Sequence, residues 1–160
     1  MSDPDPRRAL VRRTLGWGAA APLVEAGDVG RDIVLMPRDD SGRLDLACVV
    51  GAENLGQDLA VALTTGLGTD PFNAEFGFDG LTAMVEEQAP ALVRERLKAS
   101  VAKTVARDPR VRSVTAIEVG DPGASVARVL TLRVAVDTIA SDAATVVTTL
   151  EQSIIALSAG

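Results

Sequence analysis

Few residues of this chain could do chemistry. Histidine is absent, which removes Ser-His-Asp and Cys-His catalysis and the usual zinc sites together. The one cysteine, Cys48 in LDLACVV, cannot form an internal disulfide and reads as a buried strand residue. Glu75, Asp79, Glu86 and Glu87 are the residue type that glycosidases use in pairs. Nothing in their spacing brings a pair together, and each reads as a solvated carboxylate. The glycines of Gly66-Leu67-Gly68-Thr69 invite a phosphate loop. A Walker loop needs Gly-Lys-Ser/Thr, however, and no lysine follows; a dinucleotide fingerprint needs a strand before it and a helix straight after. Asp108-Pro109-Arg110 is different in kind. Proline fixes the chain direction, so the flanking charges are presented rigidly. Arg110 can then give a bidentate bond to a partner's carboxylate, or it can pair with Asp108 or a helix C-terminus inside the domain.

Composition narrows the field. A chain of 160 residues fits one domain with a short extension. The apolar residues are mostly Ala, Val and Leu, with three Phe, one Trp and no Tyr; aromatic platforms for bases or sugars are nearly missing. Sixteen basic against 22 acidic residues give a net charge of −6, which argues against general binding to nucleic acid or anionic membrane. The exception is RRALVRR at 7–13, four arginines in seven residues, read as a solvated arm or as a dock for an acidic surface. The apolar stretch after Arg13 is too short and broken for a signal peptide. No segment approaches the twenty or so apolar residues of a membrane span.

The elements that must position these residues follow from periodicity. Residues 1–30 read as an N-terminal arm and 31–160 as one α+β domain, with helices packed on an antiparallel sheet. DIVLMP at 32–37 and RLDLACVV at 43–50 are short strands around the turn RDDSG, with Pro37 ending the first. Leu55, Leu59, Ala62 and Leu63 recur at helical spacing; Glu53 or Asn54 opens that helix and Gly66 is placed for a left-handed cap. Asp79 caps a short helix through Leu81, Met84 and Val85. From Pro90, the stripe Val93, Leu97, Val101 and Val105 predicts an amphipathic helix ending at Asp108-Pro109. VRSVTAIEV at 111–119 and SVARVLTLRVAV at 125–136 flank GDPGA as a hairpin. Val126, Leu130, Leu132, Val134 and Val136 share one core-like face, with Arg128 as the exception. From Ser141 or Asp142 onward, Val146, Leu150, Ile154 and Leu157 fit a helix, against the strand preference of Thr145 to Thr149.

The stretch TTGLGTDPFNAEFG at 64–77 reads as a fixed connector. Pro71 presets one backbone angle and Gly66, Gly68 and Gly77 permit positive ones. Phe72 and Phe76 can anchor the loop in the core. The order LTTGLGTDPFNAEFGFDGL, a basic amphipathic helix, then ARDPRVRSVTAIEV resembles the small baseplate wedge proteins of contractile injection machines. These are the sheath initiators of phage tails, their counterparts in extracellular injection systems, and the lysozyme-like baseplate component of type VI secretion. The family pattern, roughly Leu-x-Thr-x-x-Gly and then Pro-x-x-Gly, is met at Leu63, Thr65, Gly68, Phe76 and Gly77, with Pro71 somewhat early. The family's Glu-Pro-Arg corner stands as Asp108-Pro109-Arg110, one methylene shorter. The resemblance covers about residues 44–136.

That resemblance implies a structural protein, not an enzyme, with no cofactor and no metal. It implies docking to the larger wedge subunits through Asp108, Pro109 and Arg110, and initiation of the sheath. Sheath subunits and tube proteins are further partners it implies, in a hexameric baseplate assembled in the cytoplasm and carried in a phage tail-like particle. A terminal strand shared with the first sheath ring also follows from it, with 125–136 as the candidate. A lysozyme-like glycosidase using Glu75 or Glu86, and an α+β adaptor with another partner, are the alternatives.

Overall fold

The computed structural model describes residues 6–22, 32–38, 42–80, 90–120, 129–140 and 143–151. In chain order the elements are α1 (Pro6–Leu15), β1 (Trp17–Ala19), β2 (Leu35–Pro37), β3 (Leu44–Leu46), β4 (Cys48–Val50), α2 (Ala52–Thr64), α3 (Pro90–Val105), β5 (Val111–Gly120), β6 (Val129–Thr138) and β7 (Ala143–Glu151). This is the α+β class the sequence predicts. The short helix expected from Asp79 lies mostly outside the described residues.

The core forms where helical and strand periodicities meet. Leu55, Leu59 and Leu63 of α2 and Leu97, Val101 and Val105 of α3 are buried against Leu132, Val134 and Val136 of β6. The four-residue spacing of the α3 stripe thus becomes one wall of the core, and the two-residue spacing in β6 the other. β5, β6 and β7 form an antiparallel sheet in that order; α3 lies along β5 and α2 along β7. The antiparallel pairing expected of the hairpin is present, with Ile117 opposite Val134 and Val119 opposite Leu132; most of the GDPGA connection and residues 125–128 of the second expected strand lie outside the described residues. Two irregularities of register, after Val111 and after Val114, spoil the simple alternation along β5.

Three expectations are corrected. The tail is a strand: β7 pairs along β6 from Val129 opposite Glu151 to Asp137 opposite Ala143. Its run of β-branched residues is stiff at χ1 and fits a pleated surface, and β6 offers a long partner. Gly66 is not the left-handed cap of α2. Thr65 ends that helix in an extended conformation, and the positive φ angles fall at Gly68 (78°) and Gly77 (110°). Cys48 is in a strand but exposed.

Within the stretch expected as an arm, residues 6–19 belong to the folded body. Leu15 is buried in the core and β1 pairs with β4, Trp17 opposite Val50. Gln57 of α2 fastens this segment, donating from Nε2 to the Ala19 carbonyl (2.9 Å) and accepting from the Ala21 N–H (2.7 Å). The approach is close at Gly51, where an added Cβ would lie 2.6 Å from Val11. That position and its φ of 72° both call for glycine.

In the stretch 64–77 neither of the two expected phenylalanines is the buried anchor. Phe72 is 98% exposed and Phe76 half-buried, whereas Phe78, one residue beyond, is 1% exposed. The loop closes on itself beside that ring. Phe78 donates to the Thr65 carbonyl (2.8 Å) and Leu67 donates to the Phe78 carbonyl (3.1 Å). Gly77 permits it, because a Cβ there would sit 2.7 Å from the Thr65 oxygen. Phe78→Ala is expected to cost about 3–5 kcal/mol, while Phe72→Ala stays within about 0.5 kcal/mol of wild type. Urea unfolding of the two variants measures both; equal effects would reject the assignment of the anchor.

Candidate functional site

Asp108-Pro109-Arg110 turns the chain from α3 into β5. α3 ends at Val105, and the Arg107 and Asp108 N–H groups continue as a tight turn on the carbonyls of Thr104 and Val105 (3.3 and 3.2 Å). The Val111 N–H then donates to the Asp108 carbonyl (3.0 Å). Pro109 is left exposed at the tip. The two flanking charges fold inward instead. Arg110 Nε and Nη2 donate to the two oxygens of Asp108 (2.9 and 2.6 Å), a bidentate pair. Its Nη1 donates to Asp58 Oδ2 (2.9 Å) and to the carbonyl of Leu15 (3.1 Å). Of the readings open for Arg110, pairing within the domain is therefore present.

The same acceptors are shared by Asn54, which is buried. Its Nδ2 donates to the Leu15 carbonyl (3.3 Å) and to Asp58 Oδ2 (3.1 Å). One guanidinium thus joins the end of α1, the first turns of α2 and the α3–β5 corner. Burial pushes the Asp108 carboxyl upward, but the hydrogen bonds and charge of Arg110 outweigh it and hold that carboxyl below its ordinary range. The Arg110 pKa is raised, chiefly by the Asp108 hydrogen bonds and also by those to Asp58, against the opposing effect of burial. Asn54 and Asp58 were missed as members of this cluster. Their spacing of four places them on one side of α2, a polar pair next to the apolar Leu55 and Leu59; that was the available signal.

The loop and the corner converge. Asp58, Leu59, Val61 and Ala62 of α2, Leu67 and Asn73 to Gly77 of the loop, and Thr104, Arg107, Asp108 and Arg110 line one open groove of about 920 Å³. Two ties hold the loop against α3: Arg107 Nη1 donates to the Glu75 carbonyl (3.3 Å) and Lys103 Nζ to Asp79 Oδ2 (2.9 Å). Of the predicted loop residues, Phe76 and Gly77 line the groove, whereas Pro71 and Phe72 stand exposed beyond it.

Lys103, then Ser100, hold Asp79 below its ordinary range, the opposite of what a general acid requires. Glu75 is exposed, and Glu86 and Glu87 lie outside the described residues. No group of three potential metal ligands occurs among the described residues, and no described helix is long and apolar enough to cross a membrane.

No protein-family model matches the chain, and no curated protein matches it. Among solved structures it is similar to a crystal structure from Geobacter sulfurreducens, of a protein provisionally called a tail lysozyme. The identity is 12% and the TM-score 0.47, over 65% of this chain and 93% of that one.

The lowered Asp108 pKa fixes a pH dependence. A carboxyl with a depressed folded pKa contributes stability that is present above its unfolded value and lost as pH falls through the folded one. Acid unfolding of the wild type should therefore steepen below about pH 4. Asp108→Asn should be less stable at pH 7 and show a shallower acid limb. Equal limbs, read by circular dichroism between about pH 2 and 5, would remove the ion pair from the account of stability.

Proposed function

We propose that this chain is a non-enzymatic structural component of the baseplate of a contractile injection machine, docking to larger wedge subunits and taking part in sheath initiation. The observation that carries the reading is the convergence of two stretches singled out independently in the sequence. The loop 64–78 and the Asp108–Arg110 corner form two walls of one groove. The resemblance assigns partner contact to that corner.

Geometry refines the division of labour. Arg110 shapes the corner from within, and the contact surface falls to exposed Pro109, to Arg107 and to the groove's apolar wall. Val61 and Leu67 are exposed at that wall. Preformed walls lower the entropy lost on docking, and an apolar floor with a few charges at its margin suits a protein segment. The carboxylates favour this reading over hydrolysis, because the two described carboxyls whose pKa moves, Asp79 and Asp108, both move down.

Arg110→Ala is a poor probe of docking. It strands Asp108 and Asp58 and should destabilise the domain by about 2–4 kcal/mol. Leu67→Asp is cleaner, since Leu67 is exposed at the groove. Co-expressed with the wedge subunits of a contractile injection machine, the wild type should co-purify with them. Leu67→Asp should lose at least about tenfold of that association with an unchanged thermal unfolding curve. Association at wild-type level in this variant would sink the groove as the docking site, and release of peptidoglycan fragments by the pure protein would sink the non-enzymatic reading.

A further inference from the structure

Residues 44–50 run as one strand hinged at Ala47, and two separate pieces of chain line up along it. Leu35–Pro37 pairs with Leu44–Leu46, and Trp17–Ala19 pairs with Cys48–Val50. Ala47 joins the halves. Its N–H donates to the Val34 carbonyl (2.8 Å), its carbonyl accepts the Ala20 N–H (2.7 Å), and Val34 donates to the Ala20 carbonyl (3.0 Å). The product is a continuous two-stranded ribbon, about 20 Å long.

Alternation places Leu44, Leu46, Cys48 and Val50 on one face, with Pro37, Leu35, Ala19 and Trp17 as their cross-strand partners. All are apolar, and all but half-buried Ala19 are exposed, with Leu44 at 62% and Trp17 at 58%. Val49, on the opposite face, is buried. The charges of the outer half also lie on that opposite face, where Arg38 pairs with Asp45 at 3.9 Å. A two-stranded ribbon with a bare apolar face is marginal in water, and a contiguous apolar patch marks a surface that something covers.

We propose that a second copy of this chain covers this face, the two ribbons stacked face to face about a two-fold axis. The edges turn away the other route, strand addition. The Leu46 N–H is taken by Asp45 Oδ1 (2.9 Å) and its carbonyl by the Cys48 thiol (3.7 Å). The Ile33 N–H is taken by Asp32 Oδ1 (2.7 Å), and Pro37 has none. Electrostatics points the same way. Two chains of net charge −6 repel over most of their surfaces, whereas the side chains of this stripe are themselves uncharged. The Arg12 guanidinium lies 5.1 Å from the Trp17 ring at one end, and a two-fold stack sets that end against the Leu44 end of the other copy. The open side chains amount to roughly 600 Å² per copy, so a pair buries roughly 1,200 Å², the lower bound for a specific interface. This face is not the groove, and the inference does not rest on the groove's role.

Sedimentation equilibrium of the full chain tests it. The expected mass is that of two 16.6 kDa chains at tens of micromolar, returning to one on dilution. Leu46→Asp, at the middle of the stripe, should weaken the pair at least about tenfold with unchanged circular dichroism. Leu44→Asp, further out on the same face, should do likewise. A chain that stays monomeric at about 100 µM, or a dimer indifferent to both substitutions, overturns the proposal.

Discussion

The guanidinium of Arg110 is the constraint on which the arrangement of the helices depends. Four of its N–H bonds are directed at Asp108, Asp58 and the Leu15 carbonyl, groups that belong to three separate parts of the chain. A planar fork can satisfy acceptors in several directions at once, which a lysine ammonium cannot do with the same geometry. The Leu15 carbonyl matters most for the topology. It is an orphan acceptor at the end of α1, and Arg110 and Asn54 both serve it. α1 is thereby tied to a corner 95 residues further along the chain, and β1 follows α1 into its pairing with β4. A part-buried pair of this kind costs desolvation as well as gaining Coulomb energy. Its contribution lies as much in selecting one geometry as in net stability.

How much of this was legible in the sequence depended on whether a signal was local. The α3 stripe of Leu97, Val101 and Val105 and the β6 alternation of Leu132, Val134 and Val136 repeat within one element, so they read out directly. The positive φ angles of Gly68 and Gly77 were also legible, because a glycine acts on its own backbone. The ring that anchors their loop was not. Phe72, Phe76 and Phe78 are chemically alike, and only the bridge between Gly66 and Phe78 decides which ring faces inward. The tail carried two conflicting local signals, and the partner strand β6, invisible in the tail itself, decided between them. Cys48 failed for a related reason. Strand membership was readable, but which face of a two-stranded ribbon meets the body is a tertiary fact.

The candidate site shows the same division. The corner 108–110 stood out because proline between opposite charges is a local oddity. Inward pairing of Arg110, with Asp108 or a helix C-terminus, is among the readings the corner leaves open. That its further partners are Asp58 and the Leu15 carbonyl at the end of α1 could not be read, since both come from distant parts of the chain. Asn54 and Asp58 left only a faint mark, a polar pair on a helix whose neighbours point to the core.

A consequence follows from where polar and apolar groups have ended up. Among the described residues Arg110 pairs with Asp108 and Lys103 with Asp79, and the other oxygen of Asp79 is buried without a partner. Asp108 and Asp79 are held below the ordinary carboxyl range and Arg110 above its own, away from the range in which a side chain passes protons. Large apolar side chains, in contrast, stand open at the groove (Val61, Leu67), at the loop tip (Phe72) and along the ribbon (Leu35, Leu44, Leu46, Trp17). Pairing that fixes the corner, with apolar side chains left open around it, is a distribution that suits the docking role proposed above.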